Sequence, residues 1–184
     1  MSQPQRADKK LPSLGEATEW LNRATADNPE KNGLETNGYP TLIHFWSISS
    51  EESKTNLAQV AQLRDLRKRD GLRVFAVHLP QSEAEKDSRP VRDAIARLHI
   101  TEPCALDNDE RLRKAFAVQP DDLPVYYLFD AEENLRGCAT GANGLEAIED
   151  QLDEMIAGLR DAFPFCPACE RFLNKDSVDR KSVV

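Results

Sequence analysis

The stretch PTLIHFWSISSEES occupies residues 40–53 and combines two structural signals. Residues 41–46 are β-branched, aliphatic and aromatic, and they follow a Gly-Tyr-Pro turn signal, which predicts a buried strand. Ser49 followed by Glu52 fits a capping box and predicts that a helix begins here, and apolar residues at helical spacing continue to Leu66. A strand, a tight turn and a helix N-terminus together present outward-facing backbone N–H groups, which favour negative charge.

The segments downstream predict an α/β fold. Residues 72–78, LRVFAVH, are nearly all apolar, as expected of a strand that is buried on both faces. With a helix over 50–69 between them, the two strands form a βαβ unit and should be parallel with a right-handed crossover. Further patterns predict a helix from Pro90, a short strand at 104–106, a helix within 108–118, a β-hairpin of 125–129 and 135–139, and a final helix over 145–163.

Length, composition and charge narrow the class of protein. A chain of 184 residues with 40% apolar residues is sufficient for one domain with extensions. The net charge of −8 argues against a nucleic acid or a membrane surface as partner. No apolar run reaches the roughly 20 residues of a membrane span, and the N-terminus lacks the apolar core of a secretory signal, so we expect a cytoplasmic protein. We assign 1–10 to a disordered start, 11–163 to the folded domain and 164–184 to a tail.

The motif FWSISSEES resembles the active-site segment of bacterial thioredoxin-like thiol–disulfide oxidoreductases, the redoxin or TlpA/ResA-like family. In that family an aromatic pair precedes a Cys-x-x-Cys motif, whose two cysteine positions fall here on Ser50 and Ser53. The resemblance extends over 11–163, because the order of predicted elements also matches. It implies an α/β, thioredoxin-like three-layer fold, in which a central mixed sheet is flanked by helices and followed by a C-terminal extension.

The two serines remove the chemistry that this resemblance implies. A cysteine at the helix N-terminus gains acidity from the helix dipole, whereas a serine hydroxyl stays protonated unless a base activates it. Glu51 and Glu52 between the serines would raise the pKa of a thiol, but each stabilises a helix start by roughly 0.3–1 kcal/mol. We therefore interpret Ser50 and Ser53 as structural, which leaves open whether the chain is an enzyme. An engineered cysteine-to-serine change would give the same sequence.

Three further positions gain meaning from the resemblance. His44 matches a buried acid that assists proton transfer in thioredoxins, and the alternative is a hydrogen-bonded core histidine. Gln81 falls where some ResA-like proteins have a functional glutamate, but an amide cannot act as a general base. Leu123 and Pro124 resemble the family's cis-proline segment, which implies that they and Trp46 contact an extended polypeptide through its main chain. The alternative is a proline that begins an edge strand.

Cys166 and Cys169 form the only Cys-x-x-Cys pair in the sequence. The pair could be a redox-active dithiol, half of a zinc site completed by another chain or by Cys104 and Cys138, or inert. A final helix of about 20 residues would carry the chain roughly 30 Å, so the pair should lie far from Ser50. Cys104 and Cys138 are otherwise expected to be small core residues.

These observations give one leading hypothesis and two alternatives. The leading hypothesis is a redox-silent member of the family that binds a protein or peptide in extended form, with no cofactor and no bound metal. The first alternative is a thiol–disulfide oxidoreductase that uses Cys166 and Cys169. The second is a dimer bridged by zinc.

Overall fold

The computed structural model describes residues 9–22, 34, 36, 38–162, 165–166 and 171–172 of the chain, and its side chains as far as residue 158. Predictions about residues 1–8, 163–164, 167–170 and 173–184 lie outside the described residues. These include the end of the final helix at Phe163 and Pro164, and the position of Cys169.

A six-stranded mixed sheet forms the centre of the molecule, with the strand order β1-β4-β3-β2-β5-β6. β2, β3 and β4 are parallel, and β1, β5 and β6 run antiparallel to their neighbours. The predicted βαβ unit and the predicted hairpin are confirmed within this one sheet. The strands are β1 Glu19–Leu21, β2 Thr41–Trp46, β3 Arg73–His78, β4 Cys104–Leu106, β5 Val125–Phe129 and β6 Leu135–Thr140.

Helices cover both faces of the sheet and complete the three layers. The helices are α1 Glu51–Arg67, α2 Ser88–Arg97, α3 Arg111–Phe116 and α4 Gly144–Ala162. Side chains alternate along β2, so Leu42 and Trp46 pack beneath α1, α2 and α4, while Ile43 and Phe45 pack against α3. All six residues of β2 are buried, because both faces of this strand are covered. The predicted α/β, thioredoxin-like fold is confirmed.

Main-chain pairing at the two edges of the sheet differs from the sequence-based prediction. β1 is a three-residue strand that no pattern predicted, and it pairs antiparallel with β4. At the other edge, Leu135 donates a backbone hydrogen bond to Lys9 at 2.9 Å, and Lys10 bridges to Asn134. Both residues belong to the segment 1–10 that its polar composition predicts to be a disordered start. Their backbone makes this pairing, and Lys10 Nζ also donates to the Glu132 carbonyl at 2.7 Å.

The start of the tail adds a small hairpin at one end of the domain. β7 Phe165–Cys166 pairs antiparallel with β8 Arg171–Phe172. β8 lies near the 3-10 helix Lys68–Asp70, which follows the C-terminus of α1. α1 has 17 residues and is therefore about 25 Å long. The hairpin therefore lies near the end of α1 opposite Ser50.

Candidate functional site

The turn between β2 and α1 is shaped by two adjacent serines with different partners. Ser50 is the N-cap of α1, and its hydroxyl accepts a hydrogen bond from the Ser53 N–H at 3.1 Å. The predicted capping box from Ser49 to Glu52 is therefore wrong by one residue. The Ser49 hydroxyl instead donates a short hydrogen bond to Glu85. A long-range partner thus decides which serine caps the helix.

Among the described residues, no base is hydrogen-bonded to the hydroxyl of either serine of the motif. Ser50 is half-buried. Within the described part of the chain, its hydroxyl is hydrogen-bonded to the Ser53 N–H. The Ser53 side chain is buried, and its hydroxyl has no hydrogen-bond partner among the described residues. Glu51 and Glu52 are exposed in the first turn of α1. Nothing in this arrangement activates a serine hydroxyl as a nucleophile.

Glu85 is a buried carboxylate at this turn that the sequence analysis missed. It accepts hydrogen bonds from the Ser47 hydroxyl at 2.9 Å, from the Gln81 N–H at 3.2 Å and from the Ser49 hydroxyl. Burial opposes ionisation of Glu85, but these hydrogen bonds outweigh it and lower its pKa. Gln81, the position singled out in the sequence, contributes its backbone instead of its side chain.

His78 lies between this carboxylate and the core. Its Nε2 is 3.6 Å from Glu85 Oε2, and its ring packs edge-to-face on Trp46 with centroids 5.1 Å apart. Neither ring nitrogen has a hydrogen-bond partner among the described residues. Burial lowers the pKa of His78 to about 4 in spite of the nearby carboxylate, so the ring is neutral at pH 7.

His44, the other histidine of interest, belongs to a second cluster. Its Nε2 lies 2.9 Å from Glu102 Oε1, and Arg64 donates to Glu102 Oε2 at 2.6 Å. Burial would raise the pKa of Glu102, but the bonds and charges of His44 and Arg64 hold it at about 2. Glu102 precedes β4, at the end of the parallel strands opposite Ser50, so the polar contact of His44 points away from the turn.

The proline loop is at the same sheet end as the Ser50 turn. Phe45 of β2 pairs with Val125 of β5, so the residues after β2 and those before β5 leave the sheet together. The peptide bond between Leu123 and Pro124 is cis. Leu123 is extended, with φ −64° and ψ 139°, and follows a short 3-10 helix. No described residue makes a backbone hydrogen bond to the Leu123 N–H or C=O.

The cysteines are separated from this turn in different ways. Cys104 is a free, fully buried thiol in β4, and burial raises its pKa to about 12. Cys138 is partly buried in β6. The backbone of Cys166 lies in β7, near the far end of α1, and Cys169 lies outside the described residues. The structure therefore brings Trp46, Ser50 and Ser53 together where β2 leads into α1, and it places the Cys166 backbone near the opposite end of α1.

The described part of the chain has neither a metal-binding cluster nor a helix that could span a membrane. No three His, Cys, Asp or Glu side chains there converge on a point that could hold a metal ion. None of the helices described combines the length and apolar character that crossing a membrane requires.

A mixed sheet, a central strand that leads through a tight turn into a helix and a neighbouring cis-proline loop at the same end of the sheet define a thioredoxin-like protein. No family model matches the chain. Thiol-disulfide oxidoreductase YkuV of Bacillus subtilis is 38% identical over 118 residues, which cover 64% of this chain and 78% of that protein. Sporulation thiol-disulfide oxidoreductase A of the same species is 23% identical over 125 residues, covering 68% and 73%.

A solved structure agrees with these relatives. The solution structure of a thioredoxin-like protein in the oxidized form superposes with a TM-score of 0.67 and 33% identity, covering 83% of this chain and 97% of that one. The chain belongs to the thioredoxin-like thiol–disulfide oxidoreductase family.

Proposed function

We propose that this family member is redox-silent at the turn between β2 and α1 and binds an extended polypeptide beside Pro124. In this proposal Ser50 and Ser53 occupy the positions of the family's cysteines. The observation that carries it is the hydrogen bond from the Ser53 N–H to the Ser50 hydroxyl at 3.1 Å. The side chain at the position of the nucleophile caps the helix, and no base among the described residues is hydrogen-bonded to it.

The main chain of Leu123 supports the binding part of the proposal. Its N–H and C=O have no backbone partner among the described residues, and its backbone is already extended. An extended guest chain could pair with these two groups by strand addition, which requires no thiol. Trp46 and Pro124 flank the same end of the sheet, although Trp46 is fully buried and would support the turn from below.

A gain-of-function variant tests the redox part. Ser50→Cys with Ser53→Cys should acquire measurable reduction of insulin by dithiothreitol, because only the thiols are missing. Ser50→Cys alone is the control, since one thiol cannot form the internal disulfide. Glu51→Gln with Glu52→Gln, added to the double-cysteine protein, should lower the pKa of the first thiol by removing nearby negative charge. A strongly acidic thiol with both glutamates present would contradict this electrostatic argument.

The unmodified protein gives the complementary test. It should not reduce insulin through the Ser50 turn, so any activity must disappear in Cys166→Ser with Cys169→Ser. Activity that survives this change would overturn the redox-silent proposal. For binding, reduced and carboxymethylated insulin B chain should shift the Leu123 amide resonance in an NMR titration. A B chain with N-methylated backbone at its central residues should bind more weakly, and equal binding would refute main-chain recognition.

A second candidate function rests on the position of Cys166. The backbone of β7 places it near the end of α1 opposite Ser50, so a Cys166–Cys169 pair would be a separate centre. As a redox pair it should cycle with a potential of roughly −270 to −200 mV. As half of a zinc site, the purified protein should contain about one zinc per two chains, and a chelator should dissociate a dimer. Zinc with chelator-sensitive dimers would exclude the redox alternative.

A further inference from the structure

A cleft opens at the end of the sheet opposite Ser50, where β3 and β4 stop pairing. The last backbone hydrogen bond between the two strands at this end runs from the Ala76 N–H to the Pro103 carbonyl, at 2.9 Å. The Arg73 N–H donates to the Pro40 carbonyl, on the β2 side of β3. The backbone groups of successive residues in a strand point to opposite sides, so the N–H and C=O of Val74 face β4. Proline has no N–H, so Pro103 cannot pair with the Val74 carbonyl. No described residue pairs with the N–H or C=O of Val74.

The cleft has an apolar wall and a cationic rim. Its volume is about 570 Å³, within the range of small-molecule sites. Leu72, Val74 and Pro103 supply apolar surface, and Arg64, Lys68 and Arg73 supply positive charge. This concentration of cations stands out in a chain whose net charge is −8.

The carboxylates in the cleft leave part of this positive charge uncompensated. Arg64 binds both of them, Glu102 at 2.6 Å and Asp65 at 2.9 Å. Lys68 and Arg73 form no ion pair within 4.0 Å with any described carboxylate. The Arg73 guanidinium instead stacks on the Tyr39 ring at 4.2 Å, which fixes its position without neutralising it.

We propose that this cleft binds the carboxylate end of a short peptide. The N–H and C=O of one ligand residue pair with the C=O and N–H of Val74. The side chain of that residue rests on Leu72 and Pro103, and the terminal carboxylate of the ligand faces Lys68 and Arg73. The ligand is short because a single residue of β3 offers unpaired main-chain groups on this side. This site is independent of the proposed polypeptide site beside Pro124, since it lies at the other end of the parallel strands.

An NMR titration of the full chain with N-acetyl-alanyl-alanine tests the proposal. The acid should bind saturably and shift the Val74 amide resonance. The matching amide, N-acetyl-alanyl-alaninamide, should bind about tenfold more weakly, the size of one lost charge-assisted hydrogen bond. Equal affinity for the acid and the amide, or shifts that avoid Val74, would overturn the proposal, as would inorganic phosphate binding as tightly as the acid.

Paired charge variants locate the carboxylate. Lys68→Gln with Arg73→Gln should weaken binding of the acid about tenfold or more, because both unpaired cations are lost. Arg69→Gln with Arg97→Gln removes the same charge from two exposed residues outside the cleft and should leave the affinity unchanged. Equal weakening in both double variants would show a general charge effect and refute the site. The comparison of acid with amide in the unmodified protein does not depend on either variant folding.

Discussion

Two buried glutamates, each beside a histidine from a core strand, lie at opposite ends of the parallel strands and are stabilised differently. Glu102, before β4, is bound by His44 at 2.9 Å and by Arg64 at 2.6 Å. Glu85, after β3, is bound by hydroxyl and backbone dipoles of the turn and of residue 81, while His78 stays 3.6 Å away. The Glu102 carboxylate is therefore stabilised by a charged partner, whereas the Glu85 carboxylate is stabilised by neutral hydrogen-bond donors of the candidate site.

This difference separates structural support from the candidate site. Removing Glu102 would leave the buried His44 without its ion-pair partner and the partly buried Arg64 with only the exposed Asp65, so we expect the whole fold to lose stability. Removing Glu85 would release the Ser47 and Ser49 hydroxyls, which belong to the turn before α1, so the cost should be mainly local.

The largest effect is expected for Glu102→Gln. Breaking a buried ion pair by removing one partner typically costs about 3–5 kcal/mol, and we expect a loss of that order in the free energy of unfolding measured by urea denaturation. Glu110→Gln is the control, because Glu110 pairs with Arg113 at 3.0 Å on the surface and should contribute little. A loss no greater than that of the control would show that the His44–Glu102–Arg64 cluster does not support the fold.

The second prediction concerns acid sensitivity caused by His78. Its pKa is about 4 in the folded protein, below its ordinary value of 6.5, so the unfolded chain binds the proton first as pH falls. His78 should therefore lower stability progressively from about pH 6.5 to pH 4, by on the order of 3 kcal/mol in total. His78→Phe, which keeps an aromatic ring beside Trp46, should abolish this part of the pH dependence.

Urea denaturation at several pH values measures this contribution. His99→Gln is the matched control, since His99 is exposed and its removal should leave the acid sensitivity in place. If the curves of His78→Phe and the unmodified protein stayed parallel from pH 7 to pH 4, the buried neutral state of His78 would be excluded.

The strands were predictable because their signals are local. Residues 41–46 and 72–78 read as buried strands from continuous apolar character alone, and the order of elements then required a parallel pair. β1 was not predictable in this way. Only Leu21 of its three residues is fully buried, and the strand exists because β4 offers it an edge.

The site was predictable only as far as its signals were local. Trp46, Ser50 and Ser53 followed from the motif, but Glu85 makes its contacts across 36 and 38 residues of sequence. The same contact explains the misassigned cap. Ser49 and Ser50 have similar capping propensity, and the hydrogen bond from Ser49 to Glu85 leaves Ser50 to cap the helix.

The third prediction is the local counterpart of the first. Glu85→Gln should cost about 1–3 kcal/mol, because a neutral amide cannot accept from the Ser47 and Ser49 hydroxyls and the Gln81 N–H as a carboxylate does. Hydrogen exchange should quicken most at the amides of the turn. Glu83→Gln, which alters an exposed pair with Lys86 on the same 3-10 helix, should leave exchange at the turn unchanged. Faster exchange spread evenly over the domain would mean that Glu85 supports the fold as Glu102 does.

The smallest effect is expected for the cap itself. Ser50→Ala removes the acceptor for the Ser53 N–H and should cost about 1 kcal/mol, whereas Ser50→Asp restores an acceptor and should recover most of the loss. Exchange of the Ser53 amide reports the change directly. Ser49→Ala is the informative comparison, because it removes the bond to Glu85 and keeps the cap, so the Ser53 amide should remain protected. If Ser49→Ala exposed that amide more than Ser50→Ala did, Ser49 would be the true cap, and the Ser50 hydroxyl would be available for another role.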